Sequence, residues 1–266
     1  MCGIFALFVN EKKCPDKSIV EKSFNKLKQR GPDNSNLYHK VVKSTIAGKS
    51  KDLQPVDQNH FIGFHRLAIN GLDSNSNQPF IQDDIVLICN GEIYNHALLS
   101  KDYSFEMKTK SDCEVIIHMY RKFGVDFVNQ LDGVFSFILF DYTENLLMVA
   151  RDPIGVRPLF YLRQSDTIAF ASEAKGIVGF TDRVMGSDAP FQIMGTDQTI
   201  QQFPQGNRMT IQFSKYGIPQ EHNFVSYLPE HFYNPQFKAD RDCRNNIIEG
   251  IRERLSAAVE KRLMSD

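Results

Sequence analysis

Cys2 stands second in the chain, ahead of Gly3 and the apolar run Ile4 to Val9. A cysteine so placed has a chemical option that an interior cysteine lacks. Once Met1 is removed, its α-amino group lies a few bonds from its own thiol. Such an amine has a pKa of roughly 8 and a thiol roughly 8.5, so the amine can take the thiol proton and later give it to a departing amine. A small residue at position 2 suits removal of the initiator Met. The same cysteine also reads as a structural residue opening a core strand, and position alone does not separate the two.

Other polar residues sit at suggestive places, each with a plain structural reading beside it. Asn90-Gly91 follows the apolar run Ile85 to Cys89 and is a strong hairpin-turn signal. Arg66 lies in the apolar context Phe64 to Ile69, where a strand-end Arg reaches solvent. Asp112 falls in the first turn of an expected helix, where a carboxylate complements the helix dipole. The runs Arg30 to Asp33 and Arg151 to Arg157 mix charge with Gly and Pro and read as salt-bridged loops.

The elements that must hold these residues are legible in outline. Strands are expected at Ile4 to Val9, Phe61 to Ile69, Ile85 to Cys89, Val134 to Phe140, Leu146 to Ala150 and Ile168 to Ala171. Several lack polar alternation, so both faces should be covered. Helices are expected at Ser18 to Gln29 and from Ser111 to Gly124. The second opens with Ser111 and, three residues on, Glu114, the pattern of a capping box. Order weakens after about Phe180. A last helix near Asn245 to Met264 carries Ile247, Ile248, Ile251, Leu255, Val259 and Leu263 as one apolar stripe that needs a partner surface. Strands and helices that do not strictly alternate indicate an α+β domain.

Bulk properties exclude several classes. The 266 residues can build a substantial core, and 24% charged with 42% hydrophobic residues is ordinary for a soluble protein. A formal net charge of -1 gives no electrostatic drive toward nucleic acid or an anionic membrane. No apolar run approaches the roughly 20 residues of a membrane span, and the N-terminus lacks the basic leader of a signal peptide. Cys2, Cys14, Cys89, Cys113 and Cys243 are odd in number and lack metal-ligand spacing, so a reduced, cytoplasmic protein without a metal site is expected.

Taken together, the motifs carry a family resemblance. Met1-Cys2-Gly3-Ile4 resembles the start of the class II glutamine amidotransferases. One branch, the asparagine synthetases, is resembled by Arg30-Gly31-Pro32-Asp33, Gly63 to Ile69, Asn90-Gly91-Glu92-Ile93-Tyr94-Asn95, Arg151 to Tyr161, Ser172-Glu173-Ala174-Lys175 and the closing Lys261 to Asp266. The likeness spans the whole chain but thins between about 181 and 240. It implies a four-layer αββα sandwich of the N-terminal-nucleophile type. It further implies a glutaminase domain over residues 2–209, a linker over 210–244 and the first helix of a synthetase domain over 245–266.

The resemblance also implies roles. Cys2 is the nucleophile, with Asn90 and the Gly91 N–H as oxyanion donors, each worth roughly 3 kcal/mol in the transition state. Arg66 takes the α-carboxylate of L-glutamine and Asp112 its α-ammonium, while Leu67, Ala68, Ile69, Asn70 and Glu92 line the site. The glutaminase step needs no cofactor. ATP and Mg2+ belong to a synthetase half, reached in cis or in trans through the last helix, and a homodimer is compatible with the sequence. The family's SGGxDS-type loop does not occur here, and Pro204-Gln205-Gly206 stands where Pro-Gly is usual. Amidotransferases making glucosamine phosphate or phosphoribosylamine share the Cys and Asn-Gly but not the Arg151 to Tyr161 run, and β-lactam synthetases typically lack the N-terminal Cys. A catalytically dead glutamine-sensing module is the rival of another class, and would keep Met1.

Overall fold

The structure is a computed structural model that describes residues 1–43, 57–164, 166–181, 200–214, 223–229, 232 and 244–263. Cys243, residues 182–199 and the closing residues from Met264 lie outside the described residues. In chain order the elements are β1 (Gly3–Asn10), α1 (Lys17–Asn25), β2 (Asn34–Val42), β3 (Gln58–Arg66), β4 (Phe80–Gln82), β5 (Ile85–Ile93), α2 (His96–Asp102) and α3 (Val115–Phe123). They continue with β6 (Gly133–Asp141), β7 (Leu146–Arg151), β8 (Phe160–Gln164), β9 (Thr167–Ala171), β10 (Gln201–Gln202), β11 (Asn207–Gln212), β12 (Asn223–Ser226) and α4 (Arg244–Glu260).

Two six-stranded sheets result, ordered β10-β8-β9-β1-β3-β2 and β12-β11-β7-β6-β5-β4. The period-two geometry of strands explains their stacking. On β1, Ile4, Ala6 and Phe8 face the second sheet, where they meet Val86 and Ile88 of β5 and Ile138 and Phe140 of β6. The alternate residues Phe5, Leu7 and Val9 face Val20 and Phe24 of α1 and Leu27 beyond it. On the second sheet, Leu87, Phe135, Phe137 and Leu139 turn outward onto Leu99 of α2 and Val115, Ile116 and Met119 of α3. Helix, sheet, sheet, helix is therefore the layer order, the α+β four-layer sandwich expected. Each central strand is buried on both faces, which is why its sequence shows no polar alternation.

Several boundaries differ from the sequence reading, for local reasons. The strand expected to reach Ile69 stops at Arg66, because its partners run out there: β1 begins opposite His65 and β2 opposite Arg66. Asn90-Gly91 is not a turn: β5 runs through it, with Asn90 opposite Ser136 and Gly91 opposite Phe135 of β6. The glycine is required by that neighbour, since a Cβ on Gly91 would lie 2.4 Å from the Val134 carbonyl oxygen. α1 ends four residues before Gln29, and a separate 3-10 turn covers Lys28–Arg30. The capping box does not close. Ser111 Oγ accepts from the Cys113 N–H at 3.3 Å, but Glu114 reaches past Ser111 to the N–H groups of Lys108 and Thr109, at 2.9 and 2.6 Å. Residues 200–214, expected to be weakly ordered, supply β10 to the first sheet and β11 to the second. β12 also pairs with β11, so strands fall across the expected 209/210 boundary and within the expected linker.

His60 marks the far end of the inter-sheet layer. It is 1% exposed, packed against Phe8, Phe140, Phe213 and Tyr142, and neither ring nitrogen has a hydrogen-bond partner. Burial, with Lys40 and His39 adding, lowers its pKa from 6.5 to about 3. Between those values the unfolded chain binds a proton that the folded chain refuses, so stability falls as pH drops from about 6.5 toward 3. The full effect is about 5 kcal/mol. Urea midpoints for the protein and for His60→Leu, compared at pH 7 and pH 4, should show the variant losing much less stability. Equal losses would assign the acid sensitivity elsewhere.

Candidate active site

The same parity that builds the core places the candidate site. Cys2 continues the even face of β1 one step past Ile4, and its side chain packs at the edge of the inter-sheet core. Asn90 continues the corresponding face of β5 one step past Ile88. Both therefore sit at one end of the gap between the sheets, in a cleft of about 480 Å3 counted out to its open mouth. Cys2, Asn90, Gly91 and Glu92 line it, as do Arg66 and Asp112. Leu67, Ile69 and Asn70 also line it, whereas Ala68 does not. Ala68 instead ties the loop down, its N–H donating to Asp33 Oδ2 at 2.8 Å.

Cys2 is held on several sides. Arg30 Nε donates to the Cys2 carbonyl oxygen at 2.9 Å, and the same guanidinium pairs with Glu173 at 2.9 Å. The Leu67 N–H approaches Sγ at 3.4 Å. Burial raises the thiol pKa, while the Leu67 N–H, the chain's amino terminus and Arg157 work in the opposite direction. Met1 is 53% exposed and borders the same cleft.

Asn90 is 1% exposed, and its Nδ2 has no hydrogen-bond partner. A buried amide donor left unsatisfied costs about 1–3 kcal/mol, and this one belongs to a residue that lines the cleft. Gly91 contributes a second donor by strand geometry. Cys89 and Ile93 turn their N–H groups away from β6, to Gln78 Oε1 at 2.6 Å and Asp112 Oδ2 at 2.7 Å. Gly91 lies midway between them, and the antiparallel alternation turns its N–H to the same edge, facing the cleft.

Charged groups flank these donors. Asp112 is 4% exposed, and burial raises its pKa against the bonds from the Ile93 N–H and, at 3.4 Å, Asn70 Nδ2. It belongs to a 3-10 turn, Asp112–Glu114, that leads into α3. Arg66 is 6% exposed and donates to the carbonyl oxygens of Asn70 and Asp73, both at 3.1 Å, to that of Gly71, and to Asn77 Oδ1 at 2.6 Å. All four acceptors are neutral. Glu92 pairs with Arg157 at 2.9 Å.

The run Arg151 to Arg157 is mainly architectural. Arg151 donates to the carbonyl oxygens of Arg157, Gly155 and Phe203, and Asp152 accepts from the N–H groups of Ile154, Gly155, Val156 and Arg157. Arg157 at its end nonetheless reaches the cleft. Gln78, Ser111, Cys89 and Cys113 line it as well and were not singled out from sequence. Gln78 has no spacing signal, because its place depends on how β4 meets β5. Ser111 and Cys113 were legible only as neighbours of Asp112.

Asparagine synthetase [glutamine-hydrolyzing] 1 of Arabidopsis thaliana is 39% identical over 188 residues, covering 66% of this chain and 28% of that protein. A probable asparagine synthetase [glutamine-hydrolyzing] of Schizosaccharomyces pombe is 32% identical over 276 residues, covering 100% of this chain and 41% of that protein. The chain thus spans less than half the length of these relatives. Among solved structures, a glutamine phosphoribosylpyrophosphate amidotransferase from B. subtilis matches with a TM-score of 0.58 at 18% identity, over 85% of this chain and 49% of that one, which is a likeness of fold. The model of the glutamine amidotransferase domain matches residues 1–212, the span that builds both sheets up to β11 and holds every residue of the cleft, and the chain belongs to that family.

Proposed function

We propose that this chain hydrolyses the side-chain amide of L-glutamine to glutamate and ammonia, with Cys2 as nucleophile after loss of Met1. The observation that carries this reading is the unpartnered, buried Nδ2 of Asn90, a residue that lines the cleft together with Cys2. The α-amino group of Cys2 takes the thiol proton, and the sulfur bonds to the amide carbon. Negative charge moves to the amide oxygen, where Asn90 Nδ2 and the Gly91 N–H receive it. The carbon–nitrogen bond then breaks as the Cys2 ammonium gives its proton to the leaving nitrogen. The glutamyl thioester that remains is cleaved by water, which yields glutamate and restores the thiol.

Arg66 is the partner for the substrate α-carboxylate, since its planar fork now holds neutral carbonyls that a carboxylate outcompetes. Asp112, whose Oδ1 accepts from Asn70 Nδ2 at 3.4 Å, is the partner for the α-ammonium. Leu67, Ile69, Asn70 and Glu92 contribute mainly through backbone. Asp112→Asn should raise KM for glutamine by about 10- to 100-fold and leave kcat within a few-fold, because it removes a contact made equally in ground and transition states. A kcat loss without a KM change would assign Asp112 to the chemical step instead.

In the longer relatives the ammonia is proposed to serve an ATP- and Mg2+-dependent conversion of aspartate to asparagine, in the length that this chain does not span. The exposed stripe Ile247, Ile248, Ile251, Leu255, Val259 and Leu263 on and just after α4 is the proposed contact with that synthetase portion. The division into a glutaminase domain, a linker and a first synthetase helix stands as a proposal, with the first boundary moved beyond β12. No described helix is long and apolar enough to cross a membrane, and a cytoplasmic location suits the proposed substrates. The direct test is ammonia release from L-glutamine by the purified chain, with Met1 removal checked by intact mass. No release from chain lacking Met1 would sink the proposal.

A further inference from the structure

β5 is covered along its whole length on one side only. β6 runs beside it from Ile85 to Ile93, whereas β4 covers the opposite edge at Ile85 to Leu87 alone. Extending that register would set residue 78 against Cys89, but the Gln78 backbone turns away, and its carbonyl oxygen accepts from Asn36 Nδ2 at 3.0 Å, on β2 of the other sheet. The Gln78 side chain does what a backbone neighbour would have done. Its Nε2 donates to the Cys89 carbonyl oxygen at 3.1 Å, and its Oε1 accepts from the Cys89 N–H at 2.6 Å. At 5% exposure the amide is enclosed as well as bonded. Two residues beyond Gly91, Asp112 bonds the Ile93 N–H on the same edge. The cleft-facing Gly91 N–H is thus bracketed by two side-chain bonds to its strand, and Asn90 lies inside the bracket.

We propose that Gln78 is a positioning residue for the amide-cleaving step: its side-chain amide stands in for one residue of a missing neighbouring strand and fixes the direction of the Asn90 and Gly91 donors. This inference rests on the glutaminase reading and deepens it. Donor direction matters because an oxyanion hole works only when its N–H groups are already aimed at the charge that develops. Gln78 itself touches no reacting atom.

The test compares the protein with Gln78→Ala and with Gln78→Glu, which keeps the volume and the acceptor for the Cys89 N–H. Glutaminase kinetics are measured beside affinities for L-glutamate and for L-glutamate γ-semialdehyde. The aldehyde forms a carbon–sulfur bond with Cys2, and the thiol's proton moves through the Cys2 amine to the former carbonyl oxygen, which occupies the oxyanion position. Glutamate engages only the α-groups. Both variants should lose roughly 10- to 100-fold in kcat and a comparable factor in aldehyde affinity, while glutamine KM and glutamate affinity move less than about 3-fold. Should Gln78→Ala fail to fold, the same readings on Gln78→Glu decide. Equal losses of aldehyde and glutamate affinity would reduce Gln78 to general support of the pocket and overturn the inference. Unchanged kcat and aldehyde affinity would overturn it too. An inactive parent protein would fail the glutaminase reading, whereas an active parent with undisturbed variants fails the role of Gln78 alone.

Discussion

Replacing Cys2 with Ala lowers glutamine-dependent ammonia release by at least about 10⁴-fold, since the other thiols that line the cleft, Cys89 and Cys113, are buried and have no α-amino group of their own to take the proton. Asn90 and Gly91 remain in place in that variant, yet donors aimed at an oxyanion do nothing until a bond to the amide carbon creates one. Glutamine binding is expected to survive, because Arg66 and Asp112, the proposed partners of the α-groups, are unchanged. Rapidly quenched reactions analysed by intact mass should carry a glutamyl adduct in the parent protein and none in Cys2→Ala. Ammonia release retained by the variant would remove Cys2 from the mechanism. Burial raises the thiol pKa, so the free thiolate is scarce at neutral pH and the proton must leave to a nearby base as attack begins. The α-amino group of the same residue fits that need, and it exists only after Met1 is gone.

Asn90→Ala is expected to reduce kcat by about 10²- to 10³-fold with little change in KM, the loss typical of one oxyanion donor. Stability should move the other way or not at all. In the resting protein Asn90 Nδ2 is buried without a partner, so its removal relieves an unsatisfied donor. Urea midpoints and kcat measured on one preparation test both halves together. A large stability loss with the activity loss would make Asn90 a structural bond-maker, and unchanged kcat would dismiss it as a donor. Few core polar residues carry opposite signs for activity and stability, which makes this pair of readings more diagnostic than either alone.

The sequence reveals the central strands because burial on both faces leaves an unbroken apolar record, as in Ile4 to Val9 and Val134 to Phe140. It is poor in the short or peripheral elements. β4 has three residues and β10 two, too few to show a period, and α2 carries only Leu99 into the core. The misreading of Asn90-Gly91 as a turn is instructive. Local statistics favour a hairpin there, but the glycine answers to the Val134 carbonyl of a strand some forty residues away, and the asparagine to a cleft built by the other sheet. The site residues themselves were reached through a resemblance of motifs. Spacing could not have assembled them, since Cys2, Arg66, Asn90 and Asp112 meet only through sheet register. Gln78 shows the limit most clearly, because an amide that imitates a strand leaves no pattern in the chain.

Cys2 belongs to one sheet and Asn90 to the other, and nothing covalent near the cleft sets the span between them. What sets it is the filling of the sandwich: Phe8, Phe64, Phe140 and their neighbours act as a spacer that keeps the two sheets at their working separation. The interior is then a gauge block for the reaction. A methylene added or lost deep between the sheets changes the gap between nucleophile and oxyanion donor before it changes the fold, so core size and catalytic rate are one quantity read at two ends of the same layer.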